Sequence, residues 1–541
     1  MAAALVEGCM VGQSTAMSGK SGMGPSRLGV KFAALWGCLV LAKLWFAAYL
    51  PLFGDEAFYA WEALHPAWAY SDLPGGTAAL IALGTGTAGD TAFGLRWPFI
   101  VLGAALPWLV VRIALRVASP QQAWRAGLLS LPLPLLLPMG VMGLPDAPLT
   151  FAALVALDAC VGLLRRVSVG LCLQLGLALA LGALSHYRFA PLLMAGVLGL
   201  WAAGGLTLLR NPAVLAALVV GAAAWWPLVN YNLGADAAGL RFHLLERHPW
   251  AFQARGLLQP LAQAIVTTPV MYVGLLLAAF AIIRQRFAGM RSSQAACWDD
   301  VQRGQHLLAV AGAALVLLYA VLAPFADRAR FSLHWPLPAY LALMPLVPLW
   351  LDARGSRWLE RWALALGWLG TLLLAALMLI PSVPSWAARS AGTALYADNL
   401  LGWPEAADAL RPLVKPGDAL VADNFMLAAQ LSFALDRRPV VYSLDHWNNH
   451  KHGRAAQLAL WGYDEAGMAT LKPGTRAWLM FEVEETPENQ REAWVERTCR
   501  WFKPTGARVV VQGPGDGKRF WLMPAVRDSA GCVGLVPASP Q

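Results

Sequence analysis

The stretch GVKFAALWGCLVLAKLWFAAYLPLFGDEAFYAWE, residues 29–62, holds two readings back to back. Its first part, Gly29 to Leu50, is apolar over the ~20 residues that a helix needs to cross a bilayer. It is too long for the apolar region of a signal peptide and has no small-residue cleavage site after it, so it is expected to stay as the first span. The second part puts two adjacent carboxylates, Asp55 and Glu56, at the mouth of that span, followed by an amphipathic aromatic stretch suited to the interface. Ionisable groups at a membrane are costly unless they face protein or water, which makes both acids functional candidates. The same pair also suits a plain helix start, with Asp55 as N-cap and Glu56 in the first turn.

The rest of the chain follows the pattern of its beginning. Of 541 residues, 58% are hydrophobic and 13% charged, against about 25% charged in a typical soluble domain. Eleven apolar segments are expected to span: 29–50, 93–115, 125–143, 147–164, 169–183, 188–209, 213–231, 263–285, 306–324, 333–351 and 358–381. The stretch 74–89 is apolar but short and rich in Gly and Thr, and reads as interfacial or re-entrant within a first loop covering 51–92. With eleven spans and a cytoplasmic N-terminus, the inner segments hold sixteen Lys and Arg and the outer ones seven, as the positive-inside rule requires. A twelfth span at 74–89 would reverse that bias. The net charge of +9 therefore reports cytoplasmic loops, and no basic run with interleaved aromatics suggests nucleic acid.

Residues 1–25 read as a disordered leader, 26–381 as the transmembrane domain, and 382–541 as a soluble α/β domain on the outer side. The strand-like runs there are Ala419–Ala422, Pro439–Ser443, Ala477–Glu482 and Arg508–Gln512. The seven cysteines show no CxxC or Cys/His spacing, which argues against structural zinc. Cys499 and Cys532 are expected to be bonded, since an extracytoplasmic compartment permits it. Lys43, the one charge well inside a span, is expected to snorkel to the outer interface.

A further acid, Asp146, lies in the outer turn Gly143–Pro148, on the same side as Asp55. The outer loops also hold cations where insertion disfavours them: His186, Tyr187 and Arg188; Arg241, His243 and Arg247; Arg328, Arg330 and His334; and Arg96. Arg offers planar bidentate hydrogen bonding to phosphate, so these residues, with Tyr59, are candidate substrate contacts. Pairing of the arginines with Asp236, Glu246 and Asp327, together with contacts to lipid headgroups, is the alternative.

The segments Asp55–Trp61, Pro145–Pro148, His334–Tyr340 and Gly453–Gln457 through Trp461 together resemble bacterial family-39 glycosyltransferases, which include lipid A aminoarabinose transferases and protein O-mannosyltransferases with the GT-C membrane fold. The resemblance implies a polyprenyl-phosphate sugar donor, a lipid, glycan or protein acceptor, and inverting transfer at the periplasmic face of a bacterial inner membrane. It implies Asp55 as the catalytic carboxylate and Asp146 as a second acid that orients the acceptor or contributes to a divalent metal site. The metal is left open, and Glu56 is carried as a third catalytic candidate. A positioned carboxylate can take the proton of an attacking hydroxyl, and a leaving phosphate needs cationic donors rather than a strong acid. The competing classes are a lipid-linked glycan transporter or flippase and a non-catalytic membrane scaffold. No internal repeat supports the transporter.

Overall fold

The computed structural model describes residues 26–528 apart from 249, 291–298, 327–332 and 436–438. The leader 1–25, Arg328, Arg330 and Cys532 lie outside the described residues. Cys499 is disulfide-bonded.

Seven described helices are long and apolar enough to cross a membrane, among them Arg27–Tyr49, Ala92–Val117, Asp146–Arg165, Asp300–Phe325 and Arg357–Ser382. The other expected spans are shorter or interrupted. Segment 125–143 is helical only over Pro120–Ser130, followed by a 3-10 turn at Pro134–Leu136. Pro132, Pro134 and Pro138 explain the break, because each lacks an N–H and clashes with the preceding turn. Gly140 follows with φ +86°, and a side chain there would strike the backbone of Phe99. The freed carbonyls of Leu136 and Met139 accept hydrogen bonds from Lys43 Nζ at 2.7 and 2.5 Å. Lys43 is thus buried against broken backbone rather than snorkelling to the interface. Irregular backbone at membrane depth is tolerated where protein or a water-filled cavity satisfies it.

Segment 333–351 is similarly divided, into Leu337–Leu343, Met344–Leu346 and Val347–Ala353. The stretch 74–89 forms a 13-residue helix, Gly76–Ala88. That is about 20 Å of helix at 1.5 Å per residue, short of the ~30 Å hydrocarbon core.

The loops gather at two ends of the bundle. One end is closed by ion pairs: Arg116 with Asp158, and Arg125 with both Asp352 and Glu360. The other end holds Asp55, Asp146, Arg188 and His334 beneath the C-terminal domain.

That domain is built on a mixed sheet in the order β2-β1-β3-β6-β4, with β5 paired to β6. The strands are β1 (Ala419–Ala422), β2 (Val441–Ser443), β3 (Arg476–Glu482), β4 (Phe502–Pro504), β5 (Val509–Gln512) and β6 (Arg519–Arg527). β1, β2 and β3 are parallel, and residues just beyond their carboxyl ends (Met426, Asn448, Glu485) line the cavity described below. This is the edge at which open α/β sheets present their ligand-facing loops. β4 and β6 have no counterpart among the strand-like runs of the sequence.

The domain docks on the helix Gly54–Ala63. Phe425 meets Phe58 edge-on at 5.4 Å, Trp61 stacks on Tyr463 at 5.3 Å, and Gln430 Nε2 donates to the Leu52 carbonyl at 2.8 Å. Ser71 N donates to Gln457 Oε1 at 3.0 Å, and Ser71 Oγ to the Gly453 carbonyl at 2.6 Å.

Candidate functional site

The helix Gly54–Ala63 starts five residues after the first span's last helical residue, and its first turn sends its two acids in different directions. Consecutive helical residues point about 100° apart. Asp55 faces a cavity of about 830 Å³. Glu56 turns inward and is fully buried. Its carboxylate takes a forked pair of hydrogen bonds from Arg96 Nε and Nη2 at 2.8 and 2.7 Å, with further donors in Gly143 N at 2.6 Å and Phe53 N at 3.0 Å. Arg96 spends its remaining donors on the carbonyls of Ala47, Leu50 and Pro51. Neither residue reaches the cavity, which corrects the expectation of Glu56 as a catalytic acid and Arg96 as a substrate contact. Together they tie the first span, the helix after it and the Met142–Leu144 turn into one rigid corner.

The cavity has two poles. At the first, Asp55 Oδ1 lies 3.2 Å from Arg454 Nη2 and 3.8 Å from His452 Nδ1. Arg454 also pairs with Asp72, and its guanidinium lies over the rings of Phe58 and Tyr59 at 4.4 and 4.9 Å. Glu62 is buried one helical step further in, and its burial raises the carboxyl to about 8. Burial raises the Tyr59 hydroxyl as well, so it stays protonated.

At the second pole, Asp146 Oδ1 accepts from Arg188 Nη2 at 2.8 Å and lies 3.3 Å from His334 Nε2. Arg188 lies over Trp335 at 4.9 Å, and Arg247 over the same ring at 5.7 Å. Burial first, then the neighbouring arginines, holds His186 well below its usual range. Burial and Arg247 do the same to His243. The permanent cations of the cavity are therefore Arg188, Arg247, Arg454 and Lys451. Arg247 forms no ion pair among the described residues; its guanidinium lies near the Phe242 and Trp335 rings.

Of the residues singled out in the sequence, Asp55, Tyr59, Asp146, His186, Arg188, His243, Arg247 and His334 line this one cavity. Arg241 does not: it pairs with Glu246 at 2.7 Å on the surface. Tyr187 packs behind His243 at 4.3 Å and bonds to Asn232. Arg454, Asp72, His452 and Lys451 are cavity residues that the sequence reading did not select. The run His450-Lys451-His452-Gly453-Arg454 was the available signal. Among the described residues, no three His, Cys, Asp or Glu side chains gather as a metal site. Each cavity-facing Asp already has a guanidinium partner.

The cavity is of the size that encloses a small-molecule head group, and its lining is rich in charged and polar side chains. A family model described as dolichyl-phosphate-mannose-protein mannosyltransferase matches residues 72–231. The fold class is the GT-C membrane fold. Among particular relatives, the lipid A galacturonosyltransferase RgtD of Rhizobium johnstonii is 28% identical over 304 residues, 54% of this chain. The match covers 58% of that relative, a little over half its length. The crystal structure of ArnT from Cupriavidus metallidurans in the apo state superimposes with a TM-score of 0.60 at 14% identity, covering 95% of this chain and 99% of that one. The same protein bound to undecaprenyl phosphate gives a TM-score of 0.60 at 14% identity, covering 91% and 98%.

Proposed function

We propose that this chain is an inverting glycosyltransferase that moves a sugar from a polyprenyl-phosphate donor to a lipid acceptor at the periplasmic face of a bacterial inner membrane. The observation that carries the reading is one cavity in which a partly open carboxylate, Asp55, shares the space with Arg188, Arg247 and Lys451. Asp55 takes the proton of the acceptor hydroxyl as its oxygen bonds to the anomeric carbon. The bond from that carbon to the phosphate oxygen breaks, and its electron pair leaves with the phosphate. Guanidinium groups stabilise that anion without giving up a proton. Inversion follows from a single displacement with one base. The relatives point to lipid A as the acceptor class and to an undecaprenyl-phosphate carrier.

The test is transfer in proteoliposomes, beginning with galacturonic acid on undecaprenyl phosphate and lipid A as acceptor. Arg247→Ala is expected to raise the donor KM roughly 10–100-fold, the value of one lost charge-assisted hydrogen bond. Arg241→Ala, whose side chain lies outside the cavity, should leave KM within about twofold. Equal effects of the two variants, or no transfer from any polyprenyl-phosphate sugar, would count against the reading.

Orientation has its own check. Alkaline phosphatase fused after the C-terminal domain is expected to be active, and green fluorescent protein exported there unfolded to be dark. The opposite pair of results would place the cavity on the cytoplasmic side.

A further inference from the structure

Asp146 receives its cation from its own bundle, whereas the cation on Asp55 comes from a different domain, 399 positions along the chain. Arg454 immediately precedes the helix Ala455–Trp461 of the C-terminal domain, and its side chain is only 3% exposed. It crosses the domain boundary to pair with Asp55 and Asp72 and lies within electrostatic reach of Glu62, with Phe58, Tyr59 and Phe425 around its faces. The other titratable and charged groups facing this point are His452, 3.8 Å from Asp55, the Tyr59 hydroxyl and, from the far side of the cavity, Arg247. Three carboxyl groups thus converge on one guanidinium.

Resting on the glycosyl-transfer reading above, we propose that Arg454 is the positioning residue of the reaction: it holds one oxygen of Asp55 and leaves the other to meet the acceptor hydroxyl. The C-terminal domain is then a working part of the active site and not only a cover. Arg454 exchanges no proton, because its guanidinium stays charged throughout. Its planar fork matters, since one nitrogen holds Asp55 while the other holds Asp72, a fixed spacing that one ammonium nitrogen does not reproduce. Glu62 fits the arrangement: its burial favours the neutral acid and spares Asp55 a second negative neighbour beside Asp72.

The experiment compares Arg454→Ala and Arg454→Lys with Gln457→Ala, which weakens the same domain contact at Ser71 without touching Asp55. Transfer is followed in proteoliposomes with the undecaprenyl-phosphate sugar that the unmodified protein turns over. Arg454→Ala is expected to lower kcat roughly 10²-fold with donor KM changed only a few-fold. Removing the cation makes the facing carboxyl groups easier to protonate. The acid limb of its pH–rate profile should therefore move up by about one pH unit or more. Added guanidinium chloride at millimolar level should restore part of the rate. Arg454→Lys should fall between the two, and Gln457→Ala should keep the acid limb of the unmodified protein. If Arg454→Ala does not fold, the acid limb of Arg454→Lys decides. An Arg454 variant that loses no more kcat than Gln457→Ala, with its acid limb unmoved, overturns the proposal and leaves only docking. Failure of the underlying reading looks different, because Asp55→Asn would then remain active.

Discussion

Asp55→Asn is expected to lower sugar transfer by roughly 10³-fold or more while leaving protein level and thermal stability unchanged. General-base assistance alone is typically worth 10²–10⁴. The side chain is 24% exposed, at the start of a helix whose position is fixed by the buried corner behind it. Asn preserves shape and can still accept from Arg454, so the substitution removes the base with little else. Asp146→Asn keeps the acceptor for Arg188 and should slow turnover less. The measurement is single-turnover transfer in membranes, with protein quantified in the same samples. Near-normal turnover by a well-folded Asp55→Asn protein would remove the proposed mechanism and favour a transporter or scaffold.

One residue further on, the expected failure is of another kind. Arg96→Met should destabilise the protein by about 3–5 kcal/mol, the usual cost of leaving one partner of a buried ion pair alone. Glu56 would be left as a fully buried carboxylate with two backbone donors and no cation. The expected readouts are loss of folded protein from the membrane and a lowered unfolding temperature in detergent, with normal KM in whatever protein survives. Glu56→Leu combined with Arg96→Met should recover part of the loss, since no lone charge remains. Recovery stays incomplete because the carbonyls of Ala47, Leu50 and Pro51 and the amide of Gly143 lose their partners. A single Arg96→Met protein as stable as its parent would show that the corner is held by packing alone.

These neighbouring acids also mark where the sequence is legible. Composition and segment length lead directly to a membrane bundle followed by an α/β domain. Two acids at the mouths of spans are visible because charge is scarce there. Which acid faces the cavity depends on helical phase, and phase at a helix start depends on where the first turn begins. Arg96 stands out as a cation on the outer side, yet its partner is 40 positions away, and only the fold brings the two together. Arg241 and Arg247 share one short segment, and sequence cannot tell that one reaches Glu246 on the surface and the other the cavity. β6, the strand at the heart of the C-terminal sheet, is hidden by Pro524 and by charged residues at both ends. Lys43 was legible as an oddity but not as the donor that serves the proline-broken stretch, because spacing says nothing about orphaned carbonyls.

The docking of residues 425–463 onto residues 52–75 also sets a timetable. A ribosome delivers the membrane bundle first, and the segment that meets Asp55 leaves the tunnel only after the last span has been made. Chain still being synthesised therefore carries its cavity open at one side, with Ser71 and the Leu52 carbonyl waiting for Gln457 and Gln430. The site is finished by one of the last parts of the chain to arrive.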